Sequence, residues 1–228
     1  MPPASPPAIQ SSSWIVRPDP RPAADSRLFC FPFAGGAAAT YRLWPAGLPA
    51  SVEVCALAYP ARAHRLRERP VDRMPALVEQ IVDALLPWLD KPFAFFGHSM
   101  GAIVAAETIR TLEARAAPLP NHFFASARGP AHLPRKESLL HVLPDDELVR
   151  ELDRRYGGVP REVMEHKELM DLLVPGLRGD LQALELHSPA MRAPLPCPVT
   201  VFGGTTDRHV SLDDLRAYYL EAASAFPD

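Results

Sequence analysis

The chain has 228 residues, of which 47% are hydrophobic and 22% charged, and a formal net charge of -3. These values are ordinary for a soluble globular protein, and the charge gives no sign of the basic surface that nucleic-acid-binding proteins use. No apolar run approaches the roughly 20 residues that span a bilayer, and the N-terminus lacks the basic and apolar regions of a signal peptide. We therefore expect a cytoplasmic protein with no nucleic-acid or membrane partner.

Two regions differ in composition. Residues 1–25 are rich in Pro, Ser and Ala, which bury too little apolar surface to offset the entropy of ordering, so they predict a disordered leader. From residue 26 to 228, short β-like runs alternate with longer amphipathic runs; the β-like runs begin at residues 27, 52, 92, 121 and 198. This alternation predicts a single α/β domain with a mostly parallel central sheet and helices on both faces.

The predicted helices follow from apolar spacing. Leu77, Ile81, Leu85 and Trp88 form one apolar face of a crossover helix, and a second helix covers residues 102 to about 115. Residues of about 135–190 interrupt the alternation with further helical patterns: one helix between Pro144 and the glycines at 157 and 158, then two helices hinged at residues 175 and 176. We interpret this segment as a helical lid inserted before the last strand.

The sequence Gly97-His98-Ser99-Met100-Gly101 has the G-x-S-x-G form of a nucleophile elbow. Such an elbow is a sharp turn from strand to helix, and its glycines are needed because a Cβ at either position would collide with neighbouring backbone. Three fixed residues match by chance too often to be decisive. The context is more specific, since a β-like run precedes the motif and a helical run follows it, and it points to Ser99 as a nucleophile.

Further residues complete the chemistry of acyl transfer. The oxyanion needs amide donors, for which the candidates are Met100, at the helix start, and Ala34, in the loop after the first predicted strand. Hydrolases of this architecture carry an acid just past a late strand, where this chain has Asp207. Plain alternatives are a glycine turn at residues 34–36 and a solvated loop aspartate.

The three cysteines are Cys30, Cys55 and Cys197. They sit in apolar strand-like runs without the spacing of metal ligands, and an odd number favours reduced thiols over a disulfide framework. We expect core cysteines, no metal and no bound cofactor.

Together, the motifs resemble the type II thioesterases of polyketide and nonribosomal peptide synthetases, which belong to the α/β-hydrolases. The resemblance rests on six ordered segments: FCFPFAGGAAATYRLW, PFAFFGHSMGAIVAAE, FFASARGP, YGGVP, ELMDLLVPGLRGD and PLPCPVTVFGGTTD. It implies Ser99 as the nucleophile, Asp207 as the acid, and the amides of Ala34 and Met100 as the oxyanion hole. Where the family tends to have Gly-Arg-Glu-Asn-Arg, this chain has Ala-Arg-Ala-His-Arg at 61–65.

The expected histidine is the largest departure from the family. The resemblance places it roughly thirty residues after the acid, in a segment that follows a final strand, whereas 21 residues follow Asp207 here. We therefore expect the C-terminal strand and the catalytic histidine segment to be missing from this chain, which would then be nearly inactive. Among the histidines present, His209 is the best substitute, ahead of His187 and His122, and His98 is expected to be a packing residue.

The resemblance implies a serine thioesterase that hydrolyses acyl thioesters from the phosphopantetheine arm of carrier proteins and so removes aberrant acyl groups from synthetases. The partner would be an acyl or peptidyl carrier protein, and we expect a monomer. Basic residues could face an acidic carrier or simply form a solvated surface; they are Arg135, Lys136, Arg154 and Arg155. Two alternatives stay open: a catalytically impaired relative that binds carrier proteins, and an acyltransferase or small-ester hydrolase on the same fold.

Overall fold

The structure, a computed structural model, describes residues 12–134, 136–157, 159 and 161–218. Within these residues six strands form one sheet in the order β1-β3-β2-β4-β5-β6. Their bounds are β1 (Ile15–Val16), β2 (Ser26–Phe31), β3 (Val52–Leu57), β4 (Phe93–His98), β5 (His122–Ser126) and β6 (Val199–Phe202). All neighbouring strands are parallel except β1, which is antiparallel to β3. The predicted α/β fold with a mostly parallel sheet is confirmed.

Six helices accompany the sheet in the described part of the chain: α1 (Met74–Leu85), α2 (Met100–Ala114), α3 (Asp145–Tyr156), α4 (Arg161–Glu165), α5 (Lys167–Glu185) and α6 (Leu212–Arg216). The main core lies between the sheet and the helices α1 and α2. Its centre contains Phe29, Phe95 and Ile81, all fully buried. The central strands are covered on both faces, which explains why their sequences are nearly continuous apolar runs rather than alternating ones.

The ordered structure begins before the predicted boundary at residue 26. Residues 1–11 of the predicted disordered leader lie outside the described residues. Further along the leader, Ile15 and Val16 form β1 and pair with Leu57 and Ala56 of β3, so this part of the leader is a strand, contrary to the prediction. Trp14 packs on the core, and the guanidinium of Arg65 lies 3.9 Å from the centre of its ring. A short apolar stretch within a Pro- and Ser-rich region is enough to close this edge of the sheet.

Helices α3, α4 and α5 lie between β5 and β6, within the segment predicted to be a lid. The hinge predicted at residues 175 and 176 is wrong, because α5 continues through Pro175 as one helix of 19 residues. A proline inside a helix loses one backbone hydrogen bond. Burial of Val174, Leu181 and Leu184 on one face of α5 offsets that cost. No helix in the described part of the chain is long and apolar enough to cross a membrane.

Candidate active site

Ser99 occupies the turn between β4, which ends at His98, and α2, which begins at Met100. Its backbone has φ 53° and ψ -118°, a conformation that costs a non-glycine residue on the order of 1–3 kcal/mol. The turn is held by the Ser99 amide, which donates to the carbonyl of Ser126 at the end of β5 at 2.9 Å. The structure therefore places Ser99 in a strained elbow, as the motif predicts.

The two glycines of the motif allow this turn. A Cβ on Gly97 would lie 2.3 Å from the carbonyl oxygen of Gly101, and a Cβ on Gly101 would lie 2.0 Å from the carbonyl oxygen of Phe31. Both contacts are with backbone atoms, which cannot rotate away as a side chain can. A larger residue at 97 would push the first turn of α2 away from the end of β4, and one at 101 would push α2 away from the end of β2.

The candidate oxyanion donors lie beside Ser99. Met100 is the first residue of α2, so its amide has no acceptor within the helix. Ala34 lies in the loop that follows β2, next to Gly35, whose φ is +76°. Ala34 and Ser99 line the same cavity. The structure thus places residues 33–35 of this loop and Ser99 in the wall of one cavity.

The cavity above Ser99 has a volume of about 860 Å³ and is lined by the elbow, the loop after β2, the region after β6 and the helices α3 and α5. Much of its wall is apolar: Ile103, Val149, Leu152, Val174, Leu177 and Leu181. Volume and apolar lining are those of a site for a small ligand with a hydrophobic part.

Asp207 also lines this cavity, five residues after the end of β6. Its Oδ1 accepts hydrogen bonds from the backbone amides of His209 at 2.9 Å and Val210 at 3.2 Å. These bonds hold the carboxylate in one orientation. The structure therefore brings Ser99, Ala34 and Asp207 to one cavity, although they come from three separate parts of the sequence.

The His98 side chain lies between the loop after β2 and strand β5. Its Nδ1 is 3.0 Å from the hydroxyl oxygen of Ser126, and its ring meets the ring of Phe33 edge to face at 6.0 Å. Burial lowers the pKa of His98, and the negative charge of Asp207 opposes part of that shift. Burial therefore favours the neutral form of the His98 ring, and the charge of Asp207 favours the protonated form.

The other histidines have partners away from Ser99. The ring of His209 lies 2.8 Å from a Glu137 carboxylate oxygen and 2.6 Å from the Arg155 carbonyl oxygen. His187 lies 3.2 Å from Glu107, and His122 lies 2.8 Å from a threonine hydroxyl at position 200. In the described residues, none of these rings is hydrogen-bonded to Ser99.

One histidine prediction needs correction. His141 is expected from the sequence to be a surface residue, but its Nδ1 lies 2.5 Å from Glu185, whose carboxylate is buried. That carboxylate also accepts the amides of Leu140 and His141. The contact ties the segment before α3 to the end of α5, which are more than forty residues apart in sequence.

The basic residues considered for carrier recognition are largely paired. Arg155 has a mostly buried side chain and binds Glu151 and Glu137, and Arg154 also binds Glu151. Lys136 binds the carboxylate of Asp214, and position 135 lies outside the described residues. Most of this charge is therefore neutralised within the chain.

Sequence reasoning missed a buried ion pair between Arg62, in the loop after β3, and Asp180 on α5. Asp180 lies in one of the six segments that carry the family resemblance, whereas Arg62 lies in the 61–65 run that departs from it, and no sequence pattern connects the two. Cys30, Cys55 and Cys197 are free and buried, as predicted. Among residues 12–134, 136–157, 159 and 161–218, no three His, Cys, Asp or Glu side chains are grouped as a metal site would require.

Comparison with known proteins decides the family. The family model described as a thioesterase domain matches residues 26–226. The chain belongs to the thioesterase family. Membership of the thioesterase family implies that the chain is a hydrolase, and the family resemblance predicted from the sequence is confirmed.

Named relatives of this thioesterase come from biosynthetic pathways. It is 35% identical to the gramicidin S biosynthesis protein GrsT of Aneurinibacillus migulanus over 209 residues, which is 92% of this chain and 81% of that protein. It is 36% identical to thioesterase PikA5 of Streptomyces venezuelae, covering 96% of this chain and 77% of that protein. Among solved structures it resembles the type II thioesterase BorB from the borrelidin biosynthetic cluster, with 32% identity, a TM-score of 0.80 and coverage of 93% and 84%.

Proposed function

We propose that this thioesterase releases acyl groups from the phosphopantetheine arm of carrier proteins, with Ser99 as its nucleophile. The observation that carries the proposal is the strained Ser99 elbow at an apolar cavity, in a chain whose relatives include named type II thioesterases. An elbow conformation on a non-glycine residue is retained where exposing the hydroxyl matters. The apolar wall formed by α3 and α5 fits an acyl chain.

In the proposed reaction, the Ser99 hydroxyl oxygen attacks the thioester carbonyl carbon while a histidine accepts the hydroxyl proton. The amides of Ala34 and Met100 donate to the oxyanion that forms. The carbon–sulfur bond then breaks, the thiol takes the proton, and an acyl ester remains on Ser99. A water molecule then attacks that ester while the same histidine takes a proton from the water. The bond between the acyl carbon and the Ser99 oxygen breaks, the histidine returns the proton to Ser99, and the free acid leaves.

Separate variants are needed to identify the residue that accepts the Ser99 proton. We assign that role to a histidine oriented by Asp207, as the family resemblance implies. His98 and His209 both line the cavity, but His98 is bonded to Ser126 and the His209 ring to Glu137. The substitutions His98→Ala and His209→Ala test whether either ring accepts the proton, since loss of the true base should cost several orders of magnitude in kcat.

The test of function is acyl release from an acyl-loaded holo carrier protein, with Ser99→Ala as the background. Wild-type turnover at least about 10³-fold above the variant would support the proposal, since removal of a serine nucleophile typically costs that much or more. Turnover equal to the variant would contradict it for this chain. An oxygen ester of the same acyl group is the comparison substrate, and preference for it would indicate an esterase instead.

A further inference from the structure

Arg62 and Asp180 form a buried ion pair. Asp180 is 3% exposed and Arg62 is 7% exposed. The two side chains meet in a bidentate arrangement, with Arg62 Nη1 at 2.6 Å from Asp180 Oδ2 and Nη2 at 2.7 Å from Oδ1. Removing two charges from water is costly, so a buried pair of this kind is weak evidence for stability alone. Its other contacts indicate what it does.

Both side chains also hold the backbone of the loop after β2. The Gly35 amide donates to Asp180 Oδ2 at 2.8 Å, and Arg62 Nη1 donates to the Gly36 carbonyl at 3.0 Å. Gly35 directly follows Ala34, the candidate oxyanion donor. The loop is therefore fixed through one amide and one carbonyl by a pair of which Arg62 lines the cavity.

Two glycines let helix α5, which contains Asp180, pack closely against the loop after β3. A Cβ on Gly176 would lie 2.6 Å from the Ala61 carbonyl oxygen, and a Cβ on Gly179 would lie 2.6 Å from the Pro70 Cβ. With Asp180, these residues form one face of α5 that approaches the loop after β3 more closely than side chains would allow. The approach is therefore built into the sequence of α5.

The loop after β3 is itself strained where it presents Arg62. Ala61 has φ 61° and Ala63 has φ 47°, values that non-glycine residues adopt only when the surroundings impose them. Arg62 Nε also donates to the Pro60 carbonyl at 3.1 Å. Strain on both sides of one arginine is consistent with selection for its position rather than for the ease of folding.

We propose that Asp180 is a positioning residue for the oxyanion hole: through Gly35 it fixes the Ala34 amide, and through α5 it joins that amide to the wall of the acyl cavity. This inference rests on the proposed function. Asp180 need not touch the substrate, since its effect passes through the loop. A donor displaced by about 1 Å can lose about 10²-fold in rate, because oxyanion stabilisation depends on geometry in the transition state.

The experiment compares Asp180→Asn with Glu53→Gln in the full chain. Glu53 is fully buried and paired with Arg27 at the opposite edge of the sheet, so its substitution also breaks a buried pair but leaves the loop alone. We expect Asp180→Asn to lower kcat per folded molecule about 10- to 100-fold with little change in KM, because the lost interaction acts in the transition state. Glu53→Gln should leave kcat per folded molecule unchanged. If the wild type releases acyl groups, equal kcat in the wild type and Asp180→Asn would overturn the proposal.

A second variant covers the case in which Asp180→Asn does not fold. The double substitution Arg62→Met with Asp180→Leu replaces both charges by apolar groups of similar size, which buried pairs often tolerate. It leaves the Gly35 amide without its acceptor, so the same fall in kcat is expected from a folded protein. A folded double variant with wild-type kcat would overturn the proposal as well.

Hydrogen exchange separates this inference from the proposed function. Exchange of the amides at residues 33–37 is measured in the wild type, in Asp180→Asn and in Glu53→Gln, and it requires no substrate. Faster exchange in Asp180→Asn alone supports the positioning role of Asp180, even if the wild type releases no acyl group and the proposed function fails. Unchanged exchange would refute that role whatever the activity.

Discussion

Gly101 lies where α2 passes the end of β2, and at the scale of a single residue it sets how closely the two can pack. Its missing Cβ would lie 2.0 Å from the Phe31 carbonyl oxygen, whereas a Cβ on Gly47 would have no neighbour within 4 Å. We expect Gly101→Ala to destabilise the fold by about 3 kcal/mol or more, since overpacking against backbone forces the chain to shift. Urea denaturation measures this, with Gly47→Ala as the matched control. Similar midpoints for both variants would contradict the explanation.

Asp207 acts on His98 through charge. Burial lowers the pKa of His98, and Asp207 partly restores it by stabilising the imidazolium. Because the substitution Asp207→Asn removes that negative charge, the pKa of His98 should fall further, and an NMR titration of the ring would detect it. Asp213→Asn, on the exposed surface of α6, is the control. An unchanged pKa of His98 in Asp207→Asn would mean that the charge of Asp207 does not act on the His98 ring.

At the scale of elements, Glu107 joins α2 to the segment after α5. Burial raises the pKa of its carboxyl, but the nearby His187 ring, at 3.2 Å, and hydrogen bonds from Arg192 outweigh burial and lower the pKa to about 2. Because this pKa lies below the ordinary value of 4.5, ionised Glu107 stabilises the fold fully above pH 4.5. This stabilisation is lost as the pH falls toward 2. We expect Glu107→Gln to be about 1–3 kcal/mol less stable at pH 7, by a difference that narrows below pH 4.5. A difference independent of pH would indicate lost packing instead.

The elements differ in how far the sequence predicts them. Strands β2 to β6 follow from short apolar runs, α1 and α2 follow from the pattern of their apolar residues, and α3 follows from its start and stop signals. Strand β1 has two residues, too few for any period, and its identity depends on pairing with β3. The continuity of α5 through Pro175 depends likewise on burial along one face, which a local rule about proline cannot include.

The residues of the candidate site also differ in how far the sequence predicts them. Ser99 and its glycines are predictable because a strained turn restricts residue types within five positions. The bond from Asp180 to Gly35 joins residues 145 apart in sequence, and each of them is ordinary by itself. Contacts of this kind depend on the completed fold, so a sequence without aligned relatives contains no local signal for them.

At the scale of the whole molecule, the proposed site residues and the buried Glu53–Arg27 pair lie at opposite ends of the parallel strands. Ser99, Ala34 and Asp207 follow the carboxyl ends of β4, β2 and β6, whereas Glu53 and Arg27 lie near the amino ends of β3 and β2. In open parallel sheets, ligands bind at the carboxyl ends of the strands. The amino ends are therefore available for contacts that only stabilise the fold.

This separation predicts that stability and activity can be changed independently. Glu53 is fully buried, accepts the Arg21 amide at 2.9 Å, and pairs with Arg17 and Arg27. Glu53→Gln should lower the free energy of unfolding by about 3 kcal/mol, because it removes the buried carboxylate that pairs with Arg17 and Arg27 and leaves Arg27 with Asp90 as its remaining acidic partner. The rate of acyl release per folded molecule should stay at the wild-type value, measured below the melting temperature of the variant. A fall in that rate at full folding would mean that the two edges of the sheet are coupled, and that the amino-edge network also shapes the site.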